Sequence, residues 1–341
     1  IYAIPASGGT ARLVHGGPAI QRNPVFSRDG RQILYVSDES GSDNVWLSDA
    51  DGGNARQVTA ETVAGITGAN WGPDGHVVAA RLLPGHDFMR ASELRLYHPQ
   101  GGAGRVIVPA PANGEHVHEA EFSPDGRFLY YSEKVTPLAR SVVYVDASHI
   151  NYAIRRRDME TGRTEEIAAG FGGAMSPRIS PDGKRLAFVR RVKDKTVLFV
   201  LDLATGEQRP VFDGLERDGQ ADFLGQGAYY PRFAWFPDSR HVAIWAGGKL
   251  HRIHMDTGAR ADIPFAATAR HRITEAPRFP HDLSPDSFTV RAIRQIAPSP
   301  DGRTILFHAL GRLWRKTLPD GAPERLTTSD AMEFEPAWSR D

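Results

Sequence analysis

Cysteine is absent from the chain. That excludes disulfides, thiolate zinc sites and cysteine nucleophiles together. Excess charge of either sign is absent too. Lys plus Arg and Asp plus Glu number 41 each, so the formal charge is zero. A nucleic-acid partner calls for a basic excess, and none is expected here. No apolar run approaches the length that crosses a bilayer. Two catalytic signatures are missing. There is no Gly-x-Ser-x-Gly nucleophile elbow and no His-Glu-x-x-His metal motif. No segment sustains apolar spacing of three and four over three turns, which excludes helical repeats. The chain opens at Ile1-Tyr2-Ala3-Ile4-Pro5 and closes at Asp341 inside a turn motif. Both ends read as cut, so the lack of a targeting segment carries no information.

What is abundant is turn chemistry, with 34 glycines and 24 prolines in 341 residues. One stretch organises it: Glu121-Phe122-Ser123-Pro124-Asp125-Gly126-Arg127-Phe128-Leu129-Tyr130-Tyr131-Ser132. Proline presets φ for the second position of a tight turn. Aspartate bonds back to nearby N–H groups, and glycine accepts positive φ. Alternating residues on either side read as strands. The unit recurs with its aspartate at Asp29, Asp74, Asp125, Asp182, Asp238, Asp301 and Asp341. Spacings run from 40 residues (Asp301 to Asp341) to 63 (Asp238 to Asp301). Four short strands and variable loops fit that period, the signature of a β-propeller.

The expected fold is therefore all-β, built from four-stranded antiparallel blades. Six are complete and two are partial, with a seven-bladed ring the favoured closure. A single propeller domain over 1–341 is expected. The first hairpin spans Ile1 to Val14. An insertion falls at about Val135 to Asn151, and a polar loop at Asp213 to Gly227. Ser239 replaces a turn glycine. Ser284-Pro285-Asp286-Ser287 comes too close to Ser299-Pro300-Asp301-Gly302 to open its own blade. Phe26, Trp71, Phe122, Trp235 and Trp338 precede the turns and are expected in the inter-blade core.

The turn aspartates need no role beyond their turns. His116 and His118 share one face of a strand beside Glu119 and Glu121. Two imidazoles without a placed third ligand read as a polar inner strand rather than a metal site. His251 and His254 read as surface. Arg155-Arg156-Arg157 alternates sides of a strand and is expected to pair with Asp158 or Glu160. Gly170-Phe171-Gly172-Gly173 is a loop, because no helix follows it. The binding candidates are polar residues just before the turns, on the innermost strands: Asn23, His118, Glu119, Arg178 and Arg232. They are expected to line or rim a central channel. A pore carrying Arg and Glu suits a peptide-like or small carboxylated ligand. No catalytic residue is assigned.

The turn repeat resembles those of the TolB family. Longer strings resemble the propeller of large bacterial amidohydrolase-family proteins. They are Tyr230-Pro231-Arg232-Phe233-Ala234-Trp235, Ile244-Trp245-Ala246-Gly247-Gly248-Lys249-Leu250-His251-Arg252, Asp262-Ile263-Pro264-Phe265, Val290-Arg291-Ala292-Ile293-Arg294 and Ile305-Leu306-Phe307-His308-Ala309-Leu310-Gly311-Arg312-Leu313-Trp314. The resemblance implies a propeller ahead of a metal-dependent (β/α)₈ hydrolase domain in the same chain, behind a secretion signal. That domain is the expected partner, packed on the propeller and fed substrate through it. Zinc or another divalent metal belongs there, with no cofactor in this chain. Localisation is expected to be periplasmic or secreted. Two alternatives stay open: a stand-alone TolB-like interaction scaffold, and the lid propeller of a prolyl-oligopeptidase-type serine peptidase.

Overall fold

The computed structural model describes residues 1–63, 65–84, 91–112, 115–136, 151–220, 230–270, 273, 275–276, 278–280 and 282–339. The chain divides into two compact units, Ile1–Ala269 and Arg270–Asp341. Most of the insertion expected at 135–151, part of the 213–227 loop, and the last turn aspartate, Asp341, lie outside the described residues.

Among the described residues, the first unit holds five four-stranded sheets. Each is antiparallel, with its strands side by side in chain order. Sheet one is Gln21–Phe26, Gln32–Ser37, Asn44–Asp49 and Arg56–Gln57. Sheets two to five open with first strands Ile66–Trp71, Val117–Phe122, Met175–Ile179 and Ala234–Trp235. The second unit holds sheet six, opening with Arg294–Pro298. The six sheets match the six full repeats. Ser284-Pro285-Asp286-Ser287 opens no strand.

The turns form because their hydrogen bonds are local. In sheet one the Ser27 hydroxyl donates to Asp29 Oδ1 at 2.6 Å and accepts from Gln32 N at 3.0 Å. Asp29 Oδ1 also accepts from Arg31 N. The same arrangement recurs at Ser123 and Asp125, Ser180 and Asp182, and Ser299 and Asp301. These bonds hold all four aspartates below the usual carboxylate range, with the serine hydroxyl the leading cause at Asp29, Asp125 and Asp301. Ser239 takes positive φ (53°) in place of glycine.

The apolar core is divided into slabs between successive sheets. Leu34, Val36, Val45 and Leu47 of sheet one pack on Ile66, Ala69, Val77 and Ala79 of sheet two. Val78, Ala80 and Leu94 meet Val117, Phe122 and Leu129 of sheet three. Further slabs join sheet three to four, through Tyr130, Ile154, Leu186 and Phe188, and sheet four to five, through Met175, Val189, Val242 and Ile244. At about 1.5–3 kcal/mol per large apolar side chain, each slab binds one sheet to the next.

The pre-turn aromatics divide. Phe122 is buried, Trp71 and Trp235 are half-buried, and Phe26 and Trp338 are exposed. The indoles do more than fill space. Trp71 donates to Val25 O at 3.2 Å, Trp235 to Arg178 O at 2.8 Å and Trp338 to Ala297 O at 2.9 Å. Each bond reaches the first strand of the preceding sheet. At the N-terminus, Tyr2–Ala3 pairs with Arg12–Leu13 as an antiparallel hairpin. Gly9–Thr10 also pairs in parallel with Phe265–Ala266, an addition that no local pattern announced.

Candidate functional site

The first strands are not plain strands. Their ladders slip between Arg22 and Val25, Thr67 and Asn70, His118 and Glu121, Met175 and Arg178, and Arg294 and Ala297. A residue at each slip has positive φ: Asn23 (54°), Gly68 (61°), Glu119 (54°), Ser176 (57°) and Gln295 (52°). Such a bulge re-aims the side chains around it. Glu335 repeats the conformation at φ 58°, before the seventh turn start. Arg232 holds the same place in the repeat of sheet five without it.

Sheets three and four use their bulges to bury an ionic cluster. The Glu119 carboxylate is nearly inaccessible and accepts from Ser176 Oγ at 2.9 and 2.8 Å. His118 Nδ1 lies 3.4 Å from Oε2, and Arg178 Nη2 lies 3.8 Å from Oε1. Burial alone would push the Glu119 acid up. The His118 contact, the Arg178 charge and the Ser176 hydroxyl outweigh it and bring the pKa down to about 2. Arg178 is buried as well. It donates to Pro177 O at 2.7 Å and to Phe233 O at 3.2 Å, and its guanidinium covers the Phe233 ring.

Beside this cluster, within the first unit, lies a cavity of about 380 Å³. Trp71, Phe122, Phe233 and Trp235 form its apolar walls; its charged walls are Arg28, Arg178, Arg232 and Glu121. Arg28 spans from the turn of sheet one to that of sheet three, donating to Pro124 O at 2.7 Å. Arg232 spans from sheet five to sheet two, donating through Nη1 to Ala69 O at 2.8 Å. Among the described residues no carboxylate lies within ion-pair distance of Arg232. Burial, and then repulsion from Arg178, lower its pKa to about 9 against the pull of Glu121 and Glu119. Glu121 sits 3.8 Å from Arg178, yet burial still pushes its acid up.

Of the residues singled out from sequence, Arg178 and Arg232 line the cavity. His118 and Glu119 lie behind it rather than on its walls, joined to Arg178 by the contacts above. Asn23 is at the matching bulge of sheet one and is not among the lining residues. Arg28 is not among the residues singled out from sequence, and Glu121 stands there only beside the histidines, not as a channel residue. Glu121 holds the place in its repeat that Arg178 holds in the next, two residues before the turn serine. Aligning the turns would have exposed it.

The remaining polar candidates resolve differently. His116 Nε2 is 3.3 Å from the Tyr152 hydroxyl, its ring 5.5 Å from that of His118, and burial pushes its pKa well below the usual range. Among the described residues no three His, Asp or Glu side chains are arranged to hold a metal. His251 is not at the surface. It is buried, with Nδ1 2.9 Å from Asp262 and Nε2 3.0 Å from Ala246 O, because alternation turns it inward on its strand. Arg155 pairs with Glu133 and Glu166, and Arg156 with Glu165. Asp158 and Glu160 pair with Arg127 instead, since cross-strand neighbours lie closer than residues further along the same strand.

Sheets stacked in chain order, tied by inter-sheet slabs and indole bonds, define a β-propeller. Its repeats are TolB-like. No family model matches the chain. It is 26% identical over 192 residues to a protein TolB homolog of Chlorobium luteolum, covering 55% of this chain and 37% of that protein. It is 26% identical over 265 residues to dipeptidyl-peptidase 5 of Porphyromonas gingivalis, covering 62% of this chain and 37% of that one. The chain thus spans little more than a third of either relative. The solved structure of a putative TolB from Agrobacterium tumefaciens superposes with a TM-score of 0.50 at 15% identity, covering 93% of this chain and 84% of that one. No helix among the described residues is long and apolar enough to cross a membrane.

Proposed function

We propose that this chain is the non-catalytic propeller module of an exported bacterial amidohydrolase, acting on amide or related C–N bonds. It packs on the catalytic barrel and restricts which substrates reach it. The divalent metal of such a reaction sits in the attached domain. One observation carries the reading. The string Tyr230 to Trp235, which resembles the amidohydrolase-type propeller, opens the fifth sheet and supplies Arg232 to the cavity. A second reading, the lid propeller of a serine peptidase, draws support from the 265-residue alignment with dipeptidyl-peptidase 5.

The full-length protein separates the two. It is assayed on N-acyl amino acids and dipeptide amides, with a metal chelator and with a fluorophosphonate probe. Loss of hydrolysis on chelation, restored by zinc, is the expected result. Covalent labelling by the fluorophosphonate would favour the peptidase reading. Neither hydrolysis nor labelling would leave an interaction scaffold and overturn both.

A further inference from the structure

We propose that the cavity lined by sheets one to five is a carboxylate-binding site. Arg232 and Arg178 would grip the anion, and Trp71, Phe233 and Trp235 would pack an apolar group attached to it. The inference concerns ligand binding and goes beyond the role proposed for the module.

The charge count favours an anion. Three guanidinium groups face the cavity against one carboxylate, Glu121. Arg178 is already matched, by Glu119 behind it and by two carbonyls. Arg28 is engaged by Pro124 O. Arg232 is left with one carbonyl and, among the described residues, no carboxylate at ion-pair distance, so its cation is only weakly balanced in a partly desolvated space. Such a charge is costly until an anion meets it. The guanidinium fork matches a carboxylate edge in two parallel hydrogen bonds. Glu121 opposes a dianion, which favours a monoanionic carboxylate over a phosphate monoester. The aromatic walls and a volume of about 380 Å³ suit a compact acid carrying an aryl or branched group.

Binding is tested on the full-length protein by tryptophan fluorescence and calorimetry. The probes are N-acetyl-L-phenylalanine, its uncharged amide and benzyl phosphate. The acid is expected to bind at least about tenfold more tightly than the amide, the scale of one charge-assisted hydrogen bond. Arg232→Gln should weaken the acid by about tenfold or more and leave the amide unchanged. Glu121→Gln removes the competing anion and should strengthen the acid several-fold. Arg232→Lys keeps the charge but not the fork and should retain part of the affinity. Equal binding of acid and amide, or no acid binding at about 10 mM, overturns the proposal. Tighter binding of benzyl phosphate overturns the choice of carboxylate. If Arg232→Gln fails to fold, Glu121→Gln decides, and no gain in acid affinity sinks the site. The readout is binding, so its failure is distinct from a failure of the hydrolase reading.

Discussion

Glu119 makes stability depend on acid in a way that one substitution isolates. Its carboxyl is held at about 2 in the folded protein, against an ordinary 4.5. A depressed carboxylate stabilises the native state above the unfolded value and loses that contribution as pH falls toward the folded one. Each tenfold difference in proton affinity is about 1.4 kcal/mol, so ionised Glu119 contributes roughly 3 kcal/mol at neutral pH. At about pH 3, less than half of that remains. Other carboxylates titrate in the same range, so the informative quantity is the gap between wild type and Glu119→Gln. The variant keeps the shape, and its amide can still accept from Ser176. Urea denaturation should show it about 3 kcal/mol less stable at neutral pH, with the gap closing by roughly 2 kcal/mol by about pH 3. A gap that stays constant or widens on acidification would refute the account of how His118, Arg178 and Ser176 hold this group.

Two further predictions concern the loops that tie sheet four. A Cβ on Gly172 would come within 1.7 Å of Arg191 O, at φ +82°. Gly172→Ala should therefore cost about 3 kcal/mol or more, and a urea midpoint close to wild type would contradict that close approach. Arg191 donates to Asp218 through Nε and Nη2 at 2.8 Å each, and Thr196 Oγ1 donates to the same carboxylate at 2.7 Å. Arg191→Met strands Asp218 as a buried charge and should cost about 3 kcal/mol, while adding Asp218→Leu should recover much of the loss. A single variant that unfolds with the wild type would show that the pair is not buried in solution.

What local chemistry dictates was legible from residue order. Ser180 and Asp182 complete their turn through bonds spanning no more than five residues, so proline, aspartate and glycine in a row announce it. Alternation in Phe128 to Ser132 announces a strand for the same reason, and the repeat of both gives the propeller. The pre-turn aromatics could be found but not placed. Burial at Phe122 and exposure at Phe26 depend on which neighbouring sheet covers them.

The candidate site was legible only in part. Arg178 and Arg232 were picked out by their place in the repeat, but nothing along the chain says that Glu119 meets Ser176 across 57 residues, or that Arg232 reaches Ala69 across 163. Nor does residue type reveal the bulges, since Glu119 and Gln295 adopt a conformation more common in glycine and asparagine. Turns are settled by atoms a few bonds apart, and the amino-acid order determined them alone. The balance of charge inside the cavity is settled by which sheets face each other, and tertiary packing decided that.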